Sequence, residues 1–551
     1  MSAPRPAHQV RAASACYSRD SVANYGFAID LRKCIGCHAC TIACKVEHQI
    51  PIGVNRCWVK TVEKGTFPAT RRFFFPVLCN QCDAAPCVTI CPTRALYKRR
   101  DGIVDLHGDV CIGCRACMVA CPYDQLFIDP NTHTAEKCNF CANRVENQLL
   151  PSCVSVCPTE CRIFGDLDDP SSEVARIAMA AAAERGDGVP AKHDRAAGGV
   201  PGVINVRKPE KGTQPKVFYI GAEESAIQPE IATRPFMYKE GQVLLRPLGS
   251  PDPDPDRPGD ARVDYDTPHV QPWGIDMAIY LLTKGIATGT MLLCALLAYF
   301  FDDRSALSMT AGPIISLTFL LITTIVLVID LERPERFYYM LIRPNWRSWM
   351  VWGTWFLIAH GAITTMWLAA GWFGAANVVS ALVWPAVICS VLTTCYTGFL
   401  FAQGLARDLW QGPQSTLDLL AQAVAEGAAA LLIAAALISD IAYRPNPRVV
   451  SLLGVILIGA IVIHLAFLVF ENLLAPSPTR HHALAVAAIR RGPFARVFWA
   501  GAMLVSVAAI VVSALAGGTL TALALAAVLA LGGSFAWEYV WVEAGQSVPL
   551  S

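Results

Sequence analysis

The chain has no G-x-G-x-x-G turn and no G-x4-G-K-[ST] loop, so neither a dinucleotide nor a nucleotide phosphate has its usual cradle. It has no block of basic residues, and its formal net charge is only +1, which excludes the electrostatic footprint of a nucleic-acid binder. Histidine is scarce, at 11 of 551 residues, and only His360 and His464 fall inside long apolar runs. Haem b held between membrane helices needs two facing axial histidines, so these two are the single possible pair. Nothing in the sequence activates a substrate on its own.

Cysteine is what the chain has. Nineteen of its 22 cysteines precede residue 162, and sixteen fall into four groups. Cys34, Cys37, Cys40 and Cys44 are spaced C-x2-C-x2-C-x3-C, and Cys111, Cys114, Cys117 and Cys121 repeat that spacing. Cys79, Cys82, Cys87 and Cys91 have a longer middle gap, and the last group splits into Cys138, Cys141 and Cys153, Cys157. Such runs are the bacterial ferredoxin pattern, in which the last cysteine serves the other cluster of a pair. A disulfide framework suits small secreted domains, and structural zinc uses two distant cysteine pairs, so both fit this spacing poorly. Sixteen ligands supply four 4Fe–4S clusters. Cys16, Cys57, Cys161, Cys294, Cys389 and Cys395 fall outside the spacing and read as small hydrophobes.

Near residue 273 the composition changes. Eight apolar stretches follow, each near the roughly 20 residues that cross a hydrocarbon core: 275–301, 309–330, 349–371, 377–402, 417–440, 449–470, 494–516 and 519–541. The expected fold is therefore an α+β ferredoxin-like domain of two dicluster halves followed by an all-α eight-helix transmembrane bundle. Its parts are an iron–sulfur domain over 1–247, a Pro/Asp-rich linker over 248–272, the membrane domain over 273–541 and a tail over 542–551. Within the first part, a helical run at 171–185 and a β-rich patch around Lys216–Ile220 carry no chemistry.

Eight spans put both termini on one side. Loops on that side hold Arg333, Arg336, Arg343, Arg347, Arg407, Arg480, Arg490 and Arg491, against Arg304, Arg444 and Arg448 opposite. Positive loops stay cytoplasmic, so the cluster domain is expected to face the cytoplasm of a bacterial inner membrane. The opening residues, with no apolar h-region and no twin-arginine pair, agree.

The stretches CIGCHACTIACKVEH, LCNQCDAAPCVTICPTRALYKRRDGIV, CIGCRACMVACPYD and KCNFCANRVENQLLPSCVSVCPTECRIFGDLDDPSS resemble the four-cluster electron-transfer subunits of molybdopterin oxidoreductases. AIYLLTKGIATGTMLL and LERPERFYYMLIRPNWRSWMVWG resemble the NrfD/PsrC-type membrane anchor family. The chain looks like a fusion of the two. The resemblance implies the ligand sets: Cys34, Cys37, Cys40 with Cys157; Cys44 with Cys138, Cys141 and Cys153; Cys79, Cys82, Cys87 with Cys121; and Cys91 with Cys111, Cys114 and Cys117. It also implies a haem-free anchor, a separate molybdenum or tungsten bis-pterin catalytic subunit, and assembly into a larger complex.

A quinone, menaquinone or ubiquinone, is the natural partner in the lipid phase. Ionisable groups inside a membrane are functional candidates by default. Lys284 lies about ten residues into the first span, with Tyr280 one turn earlier on the same face. Asp330 ends the second span on the same side. These three are expected to line the quinone pocket. Glu426, His464 and Asp440 are candidates for a proton relay, whereas Glu471 and Glu538 read as solvated at the interface. Trp346, Trp349, Trp372, Tyr539 and Trp541 fit an aromatic belt. A redox-driven proton pump and a passive anchor with electron-storing clusters are the alternatives.

Overall fold

The computed structural model describes residues 23–65, 67–185, 204–228, 261–437 and 446–550. The cysteine-rich half is organised around a four-stranded sheet in which Tyr25–Asp30 is central. It pairs antiparallel with Arg162–Asp166 and parallel with Val217–Ile220, which in turn pairs with Ile204–Asn205. The β-rich patch expected around Lys216–Ile220 is thus an interior strand, and the helix expected at 171–185 (Glu173–Arg185) covers one face of the sheet through Val174, Ile177 and Ala181. Two short hairpins, Leu96–Lys98 with Val104–Leu106 and Leu126–Ile128 with Ala135–Lys137, flank the helices Pro86–Ile90 and Ala116–Ala120.

Two boundaries move. Ala261–Tyr265, assigned above to an extended linker, is a strand that extends the Cys57–Lys64/Arg71–Leu78 hairpin into a three-stranded sheet. Alternation explains it, since Ala261 and Val263 face inward while Arg262 and Asp264 pair with charges on the hairpin. The described part of the expected tail, 542–550, is not loose. The last long helix runs over Leu520–Ser547, six residues past the expected end, and Val542, Ala544, Val548 and Leu550 are buried. Arg407 donates to the carbonyls of Gln546 (3.1 Å) and Val548 (3.0 Å), and Gln546 bonds both backbone groups of Trp273. Trp541 accordingly packs against Phe401 and Trp410 and not in an interfacial belt.

Among the described residues seven helices are long and apolar enough to cross a membrane: Ile275–Phe300, Leu307–Ile329, Ala376–Ala402, Gln414–Leu437, Pro447–Leu474, Val497–Leu515 and Leu520–Ser547. The eighth expected span is a helix too, Trp349–Trp372, but His360, its threonines and its tryptophans keep it outside that apolar set. Ile275–Phe300 and Gln414–Leu437 are the most deeply enclosed and pack directly on each other. That central position is where polar residues can be hidden from lipid.

Candidate functional site

Cysteines from different groups come together. Cys44, Cys138, Cys141 and Cys153 line one small cavity, and Cys91, Cys111, Cys114 and Cys117 line another. Cys79, Cys82 and Cys121 stand around Cys87, close enough to interact electrostatically. In the remaining set Cys34 lies near Cys40, and Cys157 is linked to it through Cys161, whose sulfur is 3.5 Å from Cys157 Sγ and bonded to Cys34. Cys161 is therefore part of this sulfur cluster and not a bystander.

The donor chemistry suits iron–sulfur clusters. Burial pushes the Cys82 and Cys138 thiols up to about 12 and those of Cys121 and Cys153 to about 11, so these four free thiols stay protonated at neutral pH. They become thiolates only beside a metal charge. Among the described residues no three His, Cys, Asp or Glu side chains converge tightly enough to hold a single metal ion, whereas four cysteines line each of two cavities, the donor set of a four-iron cluster. His48 Nε2 lies 3.1 Å from Cys141 Sγ, an outer-sphere contact of the kind that tunes such centres.

The four cages form a row. Cys40 of the first lies in electrostatic range of Cys153 of the second; Cys79 of the third is near Cys138 of the second, and Cys117 of the fourth is near Cys87 of the third. At one end Cys37 is exposed, with Cys34 and Cys157 partly so. At the other end the fourth cage is pressed onto the membrane domain.

Residues 330–348 make that junction. Arg333 N donates to Ile112 O (3.2 Å), and Arg336 Nη1 to Gly108 O (2.8 Å) and Cys111 O (3.2 Å). Asn345 and Ser348 donate to carbonyls of the 88–92 segment, and Trp273 Nε1 to Cys114 O (3.3 Å). Arg115 pairs with Glu332 at 2.5 Å and reaches Asp330 at 3.7 Å. Gly113 has φ +69°, and a Cβ there would overlap Glu332 Cβ, so the approach requires glycine. Beside the junction is a cleft of about 380 Å³ containing His269 between Asp124 (2.5 Å) and Asp266 (3.2 Å). Burial alone would lower His269, but the two carboxylates override it and raise the imidazole to about 9.

Inside the bundle Lys284 is 1% exposed. Its Nζ donates to Thr397 Oγ1 (2.5 Å) and Thr394 O (3.4 Å) and lies over the rings of Tyr280 and Tyr396. The two tyrosine hydroxyls are 2.5 Å apart. Glu426 and Glu538 lie within electrostatic range of Lys284 and of each other, and a Cβ at Gly285 would overlap the Glu426 carboxylate. Further toward the clusters Asp418 joins His464 Nδ1 (2.6 Å) and Gln422 (2.8 Å).

The structure thus brings Tyr280 and Lys284 together but places Asp330 elsewhere, at the domain junction with Arg115. Glu426 and His464 share one polar interior. Asp440 lies outside the described residues. Glu471 and Glu538, expected to be solvated, are buried, because the packed helices turn Glu538 toward Glu426 and Lys284 and Glu471 toward Asp418. Tyr396, Thr397 and Asp418 were missed. Hydroxyls in apolar runs carry no signal in sequence, and Asp418 looks like a helix-end acid until the fold encloses it. His360 bonds Ser316 at 3.1 Å and His464 bonds Asp418, so the two histidines have separate partners.

The family model described as polysulphide reductase, NrfD, matches residues 265–549, and a 4Fe-4S dicluster domain model matches residues 70–167. A tetrathionate reductase subunit of Salmonella typhimurium is 40% identical over 219 residues, 39% of this chain and 80% of that protein. Protein NrfC of Escherichia coli is 44% identical over 156 residues, 28% of this chain and 70% of that protein. The arsenate respiratory reductase iron-sulfur subunit of a Shewanella species is 33% identical over 243 residues, 35% of this chain and 95% of that protein.

Proposed function

Because this protein belongs to the polysulphide reductase NrfD family and carries a 4Fe-4S dicluster domain ahead of that region, we propose that it joins both parts of an electron path in one polypeptide. It is a multi-pass membrane protein of a reductase-type complex that transfers electrons and anchors them at the bilayer. In the finer reading it has eight spans, four 4Fe–4S clusters and a quinone site, and it serves a separate molybdopterin subunit.

The observation that carries this reading is the row of four cysteine cages, exposed at one end and pressed at the other onto residues 330–348. Cys34, Cys37, Cys40 and Cys157 would hold the first cluster; Cys44, Cys138, Cys141 and Cys153 the second; Cys79, Cys82, Cys87 and Cys121 the third; Cys91, Cys111, Cys114 and Cys117 the fourth. Bound there, the clusters supply one-electron transfer. Around the first cage Ile35, Ile42, Val46, Leu149, Leu150 and Val156 are exposed apolar residues, which suit the docking of a catalytic partner. In the bundle the Tyr280 and Tyr396 phenols, the Lys284 ammonium and the Thr397 hydroxyl converge. Such donors can bond quinone carbonyls and pass protons to them.

Purification from native membranes tests the reading. A large co-purifying subunit with molybdenum or tungsten, and four clusters' worth of iron on this chain, is the expected result. Neither metal nor large subunit in an active complex would overturn it. Loop arginines favour the cytoplasm for the cluster side, although Arg333, Arg336 and Arg407 also bind the docked domain or the last residues. Labelling of an engineered surface cysteine in that domain from the outer side of intact cells would reverse this orientation.

Buried Glu426, Glu538 and the Asp418–His464 pair favour a second reading, in which quinone turnover drives protons across the bundle. In Glu426→Gln, lost proton translocation at unchanged quinone turnover would support it, and undiminished translocation would exclude Glu426 from the path.

A further inference from the structure

The iron–sulfur domain buries a guanidinium among sulfurs, with no carboxylate beside it. Arg162 opens the strand Arg162–Asp166 and is 3% exposed. Its Nη2 lies 3.3 Å from Cys40 Sγ and 3.2 Å from Cys57 Sγ. Cys153 and Cys161 are also within reach of its charge, and the Phe27 ring lies 5.9 Å from Cζ. Its Nη1 has no hydrogen-bond partner, and among the described residues no carboxylate stands within ion-pair distance.

An unpaired buried cation is costly, so something negative must face it. Around Arg162 the other groups are aromatic rings and sulfurs. Four thiolates around an iron–sulfide core outweigh its positive charge, and the excess negative charge grows by one when the cluster accepts an electron. The two sulfurs that Arg162 adjoins as ligand candidates, Cys40 and Cys153, belong to different cages.

We propose that Arg162 is a positioning residue shared by the first and second clusters, whose guanidinium spans one ligand thiolate of each and holds both reduction potentials up. The inference rests on the four-cluster reading above. A fixed cation a few ångströms from both ligand sets favours the reduced, more negative form of each. Cys57, bonded to the same nitrogen, fixes the fork between the cages. The pair nearest the exposed end then accepts electrons more readily than its cysteine ligands alone would set.

The test is a redox titration of the whole protein in its native complex, followed by electron paramagnetic resonance. In Arg162→Gln two of the four clusters are expected to shift to lower potential while the other two stay in place. Arg162→Lys, which keeps the charge but loses the fork, should shift the same two by less. Iron and sulfide are quantified first. Fewer than four clusters in the unaltered protein sinks the four-cluster reading. Four clusters whose potentials ignore Arg162→Gln, or all shift alike, sink the role of Arg162. If Arg162→Gln does not retain its clusters, Arg162→Lys decides: a selective shift of two supports the proposal, and four unmoved potentials overturn it.

Discussion

Asn345 donates its side-chain amide to the carbonyl oxygen of Cys91 at 2.8 Å, with the carbonyls of Thr89 and Val88 at 3.2 and 3.3 Å from the same nitrogen. One membrane-domain side chain thus holds the segment that leads into the fourth cage. Asn345→Leu strands buried carbonyls at a cost of about 1–3 kcal/mol. Amides of residues 88–91 should exchange with deuterium about ten- to a hundredfold faster, and unchanged protection would show that the junction is held elsewhere.

Gly113 and Glu332 set the same junction by backbone. Glu332 N lies 3.5 Å from Gly113 O, and the positive φ of Gly113 admits no side chain there. Gly113→Ala combines roughly 1–2 kcal/mol of left-handed strain with a steric overlap that separates the two backbones. Loss of one cluster signal ahead of the other three, on mild heating, is the expected result.

Lys284 is the side chain on which quinone chemistry most depends in this reading. Lys284→Met keeps its length, removes the proton and the charge, and is expected to lower quinone-linked turnover on the order of a hundredfold with all cluster spectra intact. Tyr280→Phe should cost less, about tenfold, because Tyr396 retains a hydroxyl beside it. Full turnover in Lys284→Met would move the quinone site elsewhere.

His269 predicts a pH dependence. Its imidazole is raised from an ordinary 6.5 to about 9 by Asp124 and Asp266, acting against burial. A raised value stabilises the fold fully below about pH 6.5, and that contribution is lost as pH climbs through about 9; it is at most on the order of 3 kcal/mol. The gap in melting temperature between the unaltered protein and His269→Gln should therefore be widest at pH 6 and close by pH 9.5. A constant gap would mean that the imidazole packs there without its charge.

Cysteine spacing and apolar length were enough to read two kinds of module, and both survive in the fold. Ligand spacing is local chemistry, and the span of a membrane helix is set by bilayer thickness, so each is written over a few tens of residues. The boundaries were less legible. Ala261–Tyr265 looked like a linker because its neighbours are proline and aspartate, and only pairing with Cys57–Lys64 makes it a strand.

The residues alone pointed to the cysteines that could hold clusters and to a partner for the substrate chemistry. Tertiary structure decided what those groups meet. It placed Asp330 beside Arg115 and not beside Lys284, enclosed Glu538 and Asp418, and set Arg162 among sulfurs of two cages. These outcomes depend on residues far apart in sequence, where burial turns a solvated charge into one that must find a partner. No local pattern records that partner, because the desolvation that demands it exists only once the helices and the iron–sulfur domain have closed over it.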